Sequence, residues 1–117
     1  MPVDVRPVVK SQAAYEFVRR YPRILFSIPI TIRHLCRGGV RTTHGISLDL
    51  GEAGLGAIVQ GDVQVGETVA IEFQLSEQLL KAVAIVRYSS SSVGSGFEFV
   101  GLTPEERLQI TRIIGSA

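Results

Sequence analysis

The chain has 117 residues, 45% of them hydrophobic and 20% charged, and its formal net charge is +1. This composition is typical of a soluble globular domain and excludes disordered and fibrous classes, and no apolar run approaches the roughly 20 residues that span a bilayer. The one cysteine, Cys36, excludes an intrachain disulfide, and no group of Cys and His has the spacing of a zinc site. We therefore expect a cytoplasmic, single-domain protein with no metal, no membrane insertion and no signal peptide.

The balanced net charge conceals two halves of opposite sign. Residues 1–45 contain eight Lys or Arg and two Asp or Glu, whereas residues 46–117 contain four and nine. Long DNA or RNA requires phosphate contacts spread over a basic face, which this division does not favour. A small anionic ligand needs only a few arginines in one place, so the basic half predicts a site of that kind.

The first segment, residues 1–18, has no clear periodicity and predicts a mobile N-terminal arm, with room for a short helical turn over 11–18. Three arginines follow, Arg19, Arg20 and Arg23, with no acidic residue among them. Guanidinium groups so close together repel one another, so the cluster indicates an external anion as its partner.

The rest of the chain has the pattern of short strands. From Val69 to Leu75 every second residue is apolar, which predicts a half-buried strand. Pro29 interrupts an earlier apolar segment and predicts an edge position or a bulge there. Six strands are predicted, over 24–35, 41–48, 55–60, 67–75, 79–88 and 96–100.

The connections and the C-terminus complete the predicted fold. Glycine-containing or flexible polar links between successive strands predict hairpins, and hence an antiparallel sheet. Thr103, Pro104 and Glu106 form a capping box with proline at the first helical position, which begins a helix over 103–114. The predicted fold is all-β with one C-terminal helix, a six-stranded antiparallel β-barrel domain over 19–117 that follows the arm.

A second motif lies after the second predicted strand, where Asp49 is followed by Gly51 and Gly54. Glycine lets the backbone approach a flat ligand closely, because no side chain stands in the way. A carboxylate accepts hydrogen bonds from the edge of a guanine, while arginines bind phosphate or the acceptor edge of the base. Arginines, an acid and glycines together favour a guanine nucleotide as the ligand.

These two motifs resemble those of the PilZ domain, a bacterial family that binds the second messenger cyclic di-GMP. The family's Arg-x-x-x-Arg motif is similar to Arg19 to Arg23, and its (Asp/Asn)-x-(Ser/Ala)-x-x-Gly motif is similar to Asp49 to Gly54. The resemblance covers residues 19–114, including the terminal helix. It implies a stand-alone PilZ domain that acts as a cyclic di-GMP receptor or adaptor and not as an enzyme.

The resemblance also implies a set of ligand-binding residues, which are Arg19, Arg20, Arg23, Asp49, Gly51 and Gly54. In this set Arg19 and Arg23 bind phosphate and guanine, and Arg20 assists them. The Asp49 carboxylate accepts hydrogen bonds from a guanine edge, and the two glycines shape the turn. A ligand that touches both arm and barrel orders the arm and changes the surface offered to a protein partner, which the sequence does not identify.

Gly51 departs from the family pattern, which has Ser or Ala at that position. A lost neutral hydrogen bond costs about 0.5–1.5 kcal/mol, which is a factor of a few to about tenfold in affinity. A register that uses Ser47 as the hydroxyl fits worse, because it puts Gly45 at the acidic position. The alternative function is therefore a PilZ-like protein-interaction module that does not bind the nucleotide.

Two other function classes have little support in the sequence. No Ser, His and acid set has catalytic spacing, and no phosphate-binding loop of the form Gly-x-x-x-x-Gly-Lys occurs. Tyr15, Phe17 and Tyr21 lie near the arginines, but no strand mixes basic and aromatic residues as oligonucleotide-binding strands do. His34 and His44 are separate, which indicates ordinary structural or surface roles. We expect neither catalysis nor nucleic-acid binding.

Overall fold

The computed structural model describes residues 23–36, 39–90 and 92–116, which form seven β-strands and one α-helix. The strands are β1 (Arg23–Leu25), β2 (Pro29–Cys36), β3 (Gly39–Gly51), β4 (Gly54–Gln60), β5 (Thr68–Leu75), β6 (Gln78–Ser90) and β7 (Gly94–Gly101), and the helix is α1 (Pro104–Gly115). The predicted arm, together with Arg19 and Arg20, lies outside the described residues.

Six of these strands close into a barrel. The pairing runs β3-β2-β5-β6-β7-β4 and returns to β3, and every pair is antiparallel. Closure gives each strand of this ring a neighbour on both sides. The predicted six-stranded antiparallel barrel is confirmed, and β1 is a seventh strand that pairs with β3 outside the ring.

The first predicted strand, 24–35, is divided in two by a break at 26–28. Pro29 begins β2, a position at which proline is tolerated because a strand start does not depend on its missing N–H. The expectation of an edge position is wrong, since β2 pairs with β3 on one side and with β5 on the other. The proline is accommodated by the break that precedes it.

A buried serine satisfies the backbone at this break. Ser47 is 1% exposed, its hydroxyl accepts the Ile28 N–H at 2.9 Å, and it donates to the Phe26 carbonyl. These groups would otherwise lack partners where the ladder is interrupted. Ser47 therefore fixes the segment that connects β1 to β2, and its hydroxyl faces the interior of the protein.

The barrel interior is filled by every second side chain along the strands, because successive side chains of a strand point to opposite faces. Val69, Ile71, Phe73 and Leu75 of β5 are all buried, as the sequence predicts. Ile110 of α1 belongs to the same buried cluster, so the helix closes the core. Each such side chain stabilises the fold by about 1.5–3 kcal/mol relative to exposure to water.

The helix begins as its sequence predicts. Thr103 is the N-cap, its hydroxyl accepts the Glu106 N–H at 3.1 Å, and the Glu106 carboxylate accepts the Thr103 N–H at 2.9 Å. The helix ends at Gly115, one residue later than predicted. Among the residues that the structure describes, no helix is both long enough and apolar enough to cross a membrane.

A buried histidine connects β2, β3 and the loop before β5. His34 is 0% exposed, its Nδ1 contacts the Glu67 carboxylate, and its Nε2 lies 2.7 Å from the Thr43 hydroxyl. Glu67 also accepts the Gln64 N–H at 3.0 Å and lies 3.8 Å from the Arg41 guanidinium. These contacts make His34 a structural residue, as its isolation in the sequence indicates.

The surroundings of Glu67 lower its pKa. Burial by itself raises the pKa, but the hydrogen bond from Gln64 and the contacts with His34 and Arg41 outweigh burial, so the pKa lies below its ordinary value of 4.5. A carboxyl group whose pKa is lower in the folded than in the unfolded state contributes stability that is complete above the unfolded pKa. That contribution is lost as the pH falls through the folded pKa.

We expect Glu67→Gln to lower the free energy of unfolding at neutral pH by about 1–3 kcal/mol, because it removes the charged acceptor beside buried His34. The deficit should shrink as the pH falls below 4.5, since the wild-type carboxylate is then progressively protonated. Urea denaturation across a pH series measures this. Glu77→Gln, at an exposed position between β5 and β6, is the control. A deficit independent of pH would contradict the assignment.

Candidate functional site

The two sequence motifs meet where β1 pairs with β3. Arg23 lies opposite Gly51 in this ladder, and Asp49 lies two residues away from Gly51 on β3. This diagonal spacing brings Arg23 Nη1 within 2.9 Å of Asp49 Oδ1, in an ion pair whose side chains are 15% and 20% exposed. Residues that are 26 positions apart in the sequence are thus in direct contact.

A β-bulge turns Asp49 away from the core. The β3–β4 register changes between Ser47 and Asp49, so that Leu48 and Asp49 both face outward while Ser47 and Leu50 are buried. Strict alternation would place Asp49 on the same side as Ser47, inside the barrel. The bulge therefore puts the carboxylate on the outer surface.

Gly56 orients this carboxylate. It lies opposite Asp49 on β4, and its N–H donates to Asp49 Oδ1 at 2.9 Å. The same oxygen accepts from the Arg23 guanidinium, so a side chain of β1 and the backbone of β4 fix it together. A Cβ at Gly56 would lie 3.0 Å from this oxygen, which is why glycine permits the close approach.

A row of neighbouring residues runs from Asp49 across two glycines to an aromatic ring. Gly56 pairs with Gly96 of β7, and Gly96 pairs with Tyr88 of β6. The Tyr88 ring lies over Gly96, since a Cβ there would be 2.0 Å from ring atom Cε2, and the Tyr88 hydroxyl lies 3.6 Å from a Cβ built on Gly56. We call Asp49, Gly56, Gly96 and Tyr88 the site row.

A second bulge, in β6, brings Tyr88 to the outer surface. The β6–β7 register changes between Val86 and Tyr88, with Val86 buried, Arg87 exposed and Tyr88 half-buried. Without the extra residue, Tyr88 would point inward as Val86 does. Arg87 faces solvent and pairs there with Glu98.

The two glycines of the acidic motif have different surroundings. Gly51 is buried at the end of β3, opposite Arg23. Gly54 begins β4, and a Cβ there would lie 2.0 Å from the Phe97 carbonyl oxygen. The backbone of a paired strand cannot move aside for such a contact, so strand packing alone requires glycine at position 54. The predicted roles of both glycines toward a ligand stay predictions.

Sequence reasoning missed Tyr88 and gave no individual role to Gly56 or Gly96. The available signal was slight, because Tyr88 is one aromatic residue at the end of a predicted strand and the glycines occur in ordinary Gly-x-Gly segments. Only the register across β4, β7 and β6 places these residues side by side.

The arrangement suits a planar, anionic ligand. The guanidinium of Arg23 has five N–H donors. Its Nη1 donates to Asp49 Oδ1. The carboxylate accepts N–H groups, the two glycines let this carboxylate and the Tyr88 ring lie close to the backbone, and the ring offers a face for stacking. The described part of the chain contains no group of three His, Cys, Asp or Glu side chains placed to hold a metal ion.

Comparison with protein-family models matches residues 17–116 to the PilZ domain. No curated protein matches the chain significantly in sequence.

Solved structures with the same fold include three bacterial proteins. The PilZ domain of YcgR from Escherichia coli with c-di-GMP has a TM-score of 0.65 and 23% identity, over 84% of this chain and 89% of that chain. The PilZ domain of CeSA from a cellulose-synthesizing bacterium has a TM-score of 0.63 and 16% identity, over 81% and 96%. The Bacillus subtilis inhibitor of motility, MotI/DgrA, has a TM-score of 0.65 and 12% identity, over 84% of this chain and 50% of that chain.

We expect Gly54→Ala to lower the free energy of unfolding by at least about 2 kcal/mol, because overpacking against the Phe97 backbone forces the strands to shift. Gly115→Ala is the matched control, since a Cβ at Gly115 meets nothing within 4 Å. Its effect should stay within about 1 kcal/mol and favour stability, because alanine suits a helix better than glycine. Urea denaturation of both variants measures the difference. Equal losses would contradict the packing explanation.

Proposed function

Because the chain belongs to the PilZ domain family, we propose that it is a receptor for cyclic di-GMP. The observation that carries the proposal is the contact between Arg23 and Asp49 beside Gly56. It joins the arginine motif and the acidic motif on one outward face of the barrel. The fold shared with the PilZ domain of YcgR, whose structure holds c-di-GMP, supports the same ligand.

In this proposal each part of the site takes one part of the nucleotide. Arg23, with Arg19 and Arg20 from the preceding chain, binds phosphate oxygens and the acceptor edge of guanine through charge-assisted hydrogen bonds. Asp49 accepts hydrogen bonds from the N–H edge of a guanine. The base lies against the ring of Tyr88, which covers Gly96.

The ion pair between Arg23 and Asp49 prepares the site for its ligand. The carboxylate accepts from Nη1 and so holds the guanidinium beside the site row, which lowers the conformational entropy lost on binding. The guanidinium has further N–H groups for a phosphate. Arg23 and Asp49 therefore exchange part of their contact for contacts with the nucleotide.

Gly51 sets a limit on affinity in this proposal. A glycine at the position where the family has Ser or Ala supplies no hydroxyl, which reduces affinity by a factor of a few to about tenfold relative to a serine. The other contacts keep binding in the micromolar range or tighter. The contact between Arg23 and Asp49 supports retained binding over a module that has lost it, because it brings the two motifs together.

The proposed output is a change of surface. Binding orders the chain before Arg23 against the barrel and alters what a protein partner meets, and no covalent bond is made or broken. We therefore infer a cytoplasmic adaptor that passes the nucleotide signal to a protein and has no catalytic activity. The second messenger is its proposed ligand, and nucleic acid is not.

We expect wild-type protein to bind cyclic di-GMP with micromolar or tighter affinity, and Arg23→Ala to lose at least about tenfold, because a charge-assisted contact contributes about 1.5–3 kcal/mol. Isothermal titration calorimetry measures both. Arg33→Ala is the matched control, since it removes the same charge from an outer ion pair with Glu72 on β5. It should bind as wild type does.

GTP, GMP and cyclic di-AMP serve as competing ligands in the same titrations and should bind more weakly. If titration with cyclic di-GMP gave no heat of binding and no NMR chemical-shift change, the receptor proposal would be contradicted and the alternative, a protein-interaction module, would remain. Equal binding of a random oligonucleotide, falling steeply with salt, would indicate nucleic acid instead.

We also expect Tyr88 to contribute to binding through its ring. Tyr88→Leu should weaken cyclic di-GMP binding by about fivefold or more, because stacking of a base on an aromatic ring contributes about 1–3 kcal/mol. Tyr88→Phe keeps the ring and should retain most of the affinity. Calorimetry of the two variants provides the test, and an equal loss in both would assign the effect to the hydroxyl group instead.

A further inference from the structure

A cavity opens at the end of the barrel where β4 finishes and β7 begins. Its volume is about 250 Å³, and it lies between residues 58–63 on one side and the β6–β7 hairpin on the other. We call it the mouth cavity. Ligand sites often lie in the mouths of β-barrels, and this volume, which is below that of drug-sized pockets, suits a ligand of one or two rings.

The mouth cavity exists because β4 and β7 stop pairing before β4 ends. Their last pair is Ala57 with Ser95, whereas β4 continues beside β3 as far as Gln60. The first residue of β7 is Gly94, whose φ of 94° lies in the left-handed region and directs the chain into the hairpin. The last residues of β4 therefore have a strand neighbour on the β3 side and the cavity on the other side.

The end of β4 directs one backbone donor and one backbone acceptor into the mouth cavity. In an antiparallel strand a residue points its N–H and C=O to the same neighbour, and successive residues alternate. A Cβ on Gly94 would lie 2.6 Å from the Ala57 carbonyl oxygen, so Ala57 points towards β7. A Cβ on Gly45 would lie 2.5 Å from the Ile58 carbonyl oxygen, so Ile58 points towards β3. Val59 therefore points to the β7 side, where no backbone group of the described residues pairs with it.

The side chains that line the mouth cavity are hydroxyl-bearing, acidic or apolar. Ser95 is 2% exposed, and its hydroxyl lies 3.1 Å from that of Ser89. Each hydroxyl has one donor and two acceptor positions, so both keep capacity for a ligand. Asp62 lies on the loop after β4, and Ile58 and Val63 form apolar walls. Among the described residues no Lys or Arg lines the cavity, so its carboxylate disfavours a phosphate and favours an uncharged ligand.

The Watson–Crick edge of guanine matches these groups. It carries one acceptor, O6, and two neighbouring donors, N1–H and N2–H. The Val59 N–H matches the acceptor, and the two oxygens of the Asp62 carboxylate match the two donors. The corresponding edge of adenine has one donor group, which leaves the carboxylate with fewer contacts. The apolar walls suit the faces of a purine ring.

We propose that the mouth cavity binds a guanine base through this edge. One source of the base is the second guanine of cyclic di-GMP, and this source rests on the proposed function. Ile58, Ser90 and Gly94 line the cavity, and each lies two residues, or about 7 Å, from a member of the site row on the same strand. The other source is a separate guanine compound, which offers the same edge.

A peptide strand and a metal ion fit the mouth cavity less well. Strand addition relies on several main-chain hydrogen bonds in a row, whereas Val59 is the one residue of β4 after Ala57 that points there. Within the described lining, Asp62 is the one carboxylate, and hard cations take several oxygen ligands. A small planar ligand uses the single backbone pair and the single carboxylate together.

Amide and methyl NMR of the full chain tests the mouth cavity directly. Guanosine, which has no phosphate, should shift the Val59 amide signal and the Val63 methyl signals and should saturate in the millimolar range or below. Adenosine should bind at least about fivefold more weakly, because it lacks one donor for the carboxylate. Ile110, which is 0% exposed beneath the helix, is the internal control and should not shift.

Asp62→Asn separates recognition of the base from the shape of the cavity. The variant keeps the side-chain volume but replaces one carboxylate oxygen with an amide donor, which opposes the N–H donors of guanine. Guanosine affinity should fall by about tenfold or more. Glu77→Gln, which removes the same charge at an exposed position between β5 and β6, is the matched control and should bind guanosine as wild type does.

Cyclic di-GMP distinguishes the two sources of the base. If its second guanine occupies the mouth cavity, the dinucleotide itself shifts Val59, Asp62→Asn weakens its binding by about tenfold, and the saturated protein no longer binds guanosine there. If a separate guanine compound is the source, cyclic di-GMP leaves the Val59 signal in place. Guanosine then still binds to the saturated protein.

The outcomes separate this inference from the receptor proposal. Val59 and Val63 signals that stay unchanged with guanosine and with cyclic di-GMP would overturn the guanine site, while heat from cyclic di-GMP would leave the receptor proposal standing. An equal response to adenosine, or unchanged guanosine affinity in Asp62→Asn, would also overturn it. Guanosine binding in the cavity without any binding of cyclic di-GMP would overturn the receptor proposal alone. The titrations of the wild-type chain do not depend on how the variants fold.

Discussion

In a closed barrel each strand must send every second residue into the core, and two bulges relax this constraint where the site forms. Leu48 and Asp49 both face outward on β3, and Arg87 and Tyr88 both face outward on β6. With strict alternation, the carboxylate and the aromatic ring would both point into an apolar interior. A buried, unpaired carboxylate is costly, so the bulges reconcile the barrel with a polar surface site.

Closure of the ring brings the parts of this surface together. The site row crosses β3, β4, β7 and β6, and β3 is adjacent to β4 because the first and last strands of the ring pair there. Gly56 and Gly96 then leave room for the Asp49 carboxylate and the Tyr88 ring to lie over the strands between them. The buried cluster that fixes these registers includes Leu50 and Phe97, the inward neighbours of Asp49 and Gly96. Core packing therefore positions the outer surface.

Local features of the fold could be predicted from the sequence, and features that depend on distant pairing could not. The alternation of β5 and the capping box at Thr103 are complete within a few residues, and both are found where they were predicted. The break before Pro29 depends on the Ser47 hydroxyl, which is 19 positions from its partner Ile28, and no local pattern indicates it. A bulge changes the direction of the side chains that follow it without changing the composition of the strand. The bulges in β3 and β6 therefore could not be predicted from the sequence.

The candidate site also contains residues that could be predicted from the sequence and residues that could not. Arg23 and Asp49 stand in short motifs and could be singled out from the sequence, although their contact depends on the β1–β3 register. Tyr88 could not be singled out, since its direction is set by a bulge and its neighbours belong to other strands. His34 could be assigned a structural role, but its pairing with Glu67 joins residues 33 positions apart.

The position of β1 separates the proposed response to the nucleotide from the integrity of the fold. This strand of three residues pairs with β3 outside the closed ring, and it carries Arg23. Its three pairs can loosen and re-form while all six interfaces of the ring stay intact, so a rearrangement on the proposed nucleotide binding would avoid the slow, cooperative step of opening the barrel. Substitutions of exposed Leu25 can therefore alter the proposed response to the ligand over evolutionary time with little risk of unfolding the domain, whereas Ile24 packs against the core.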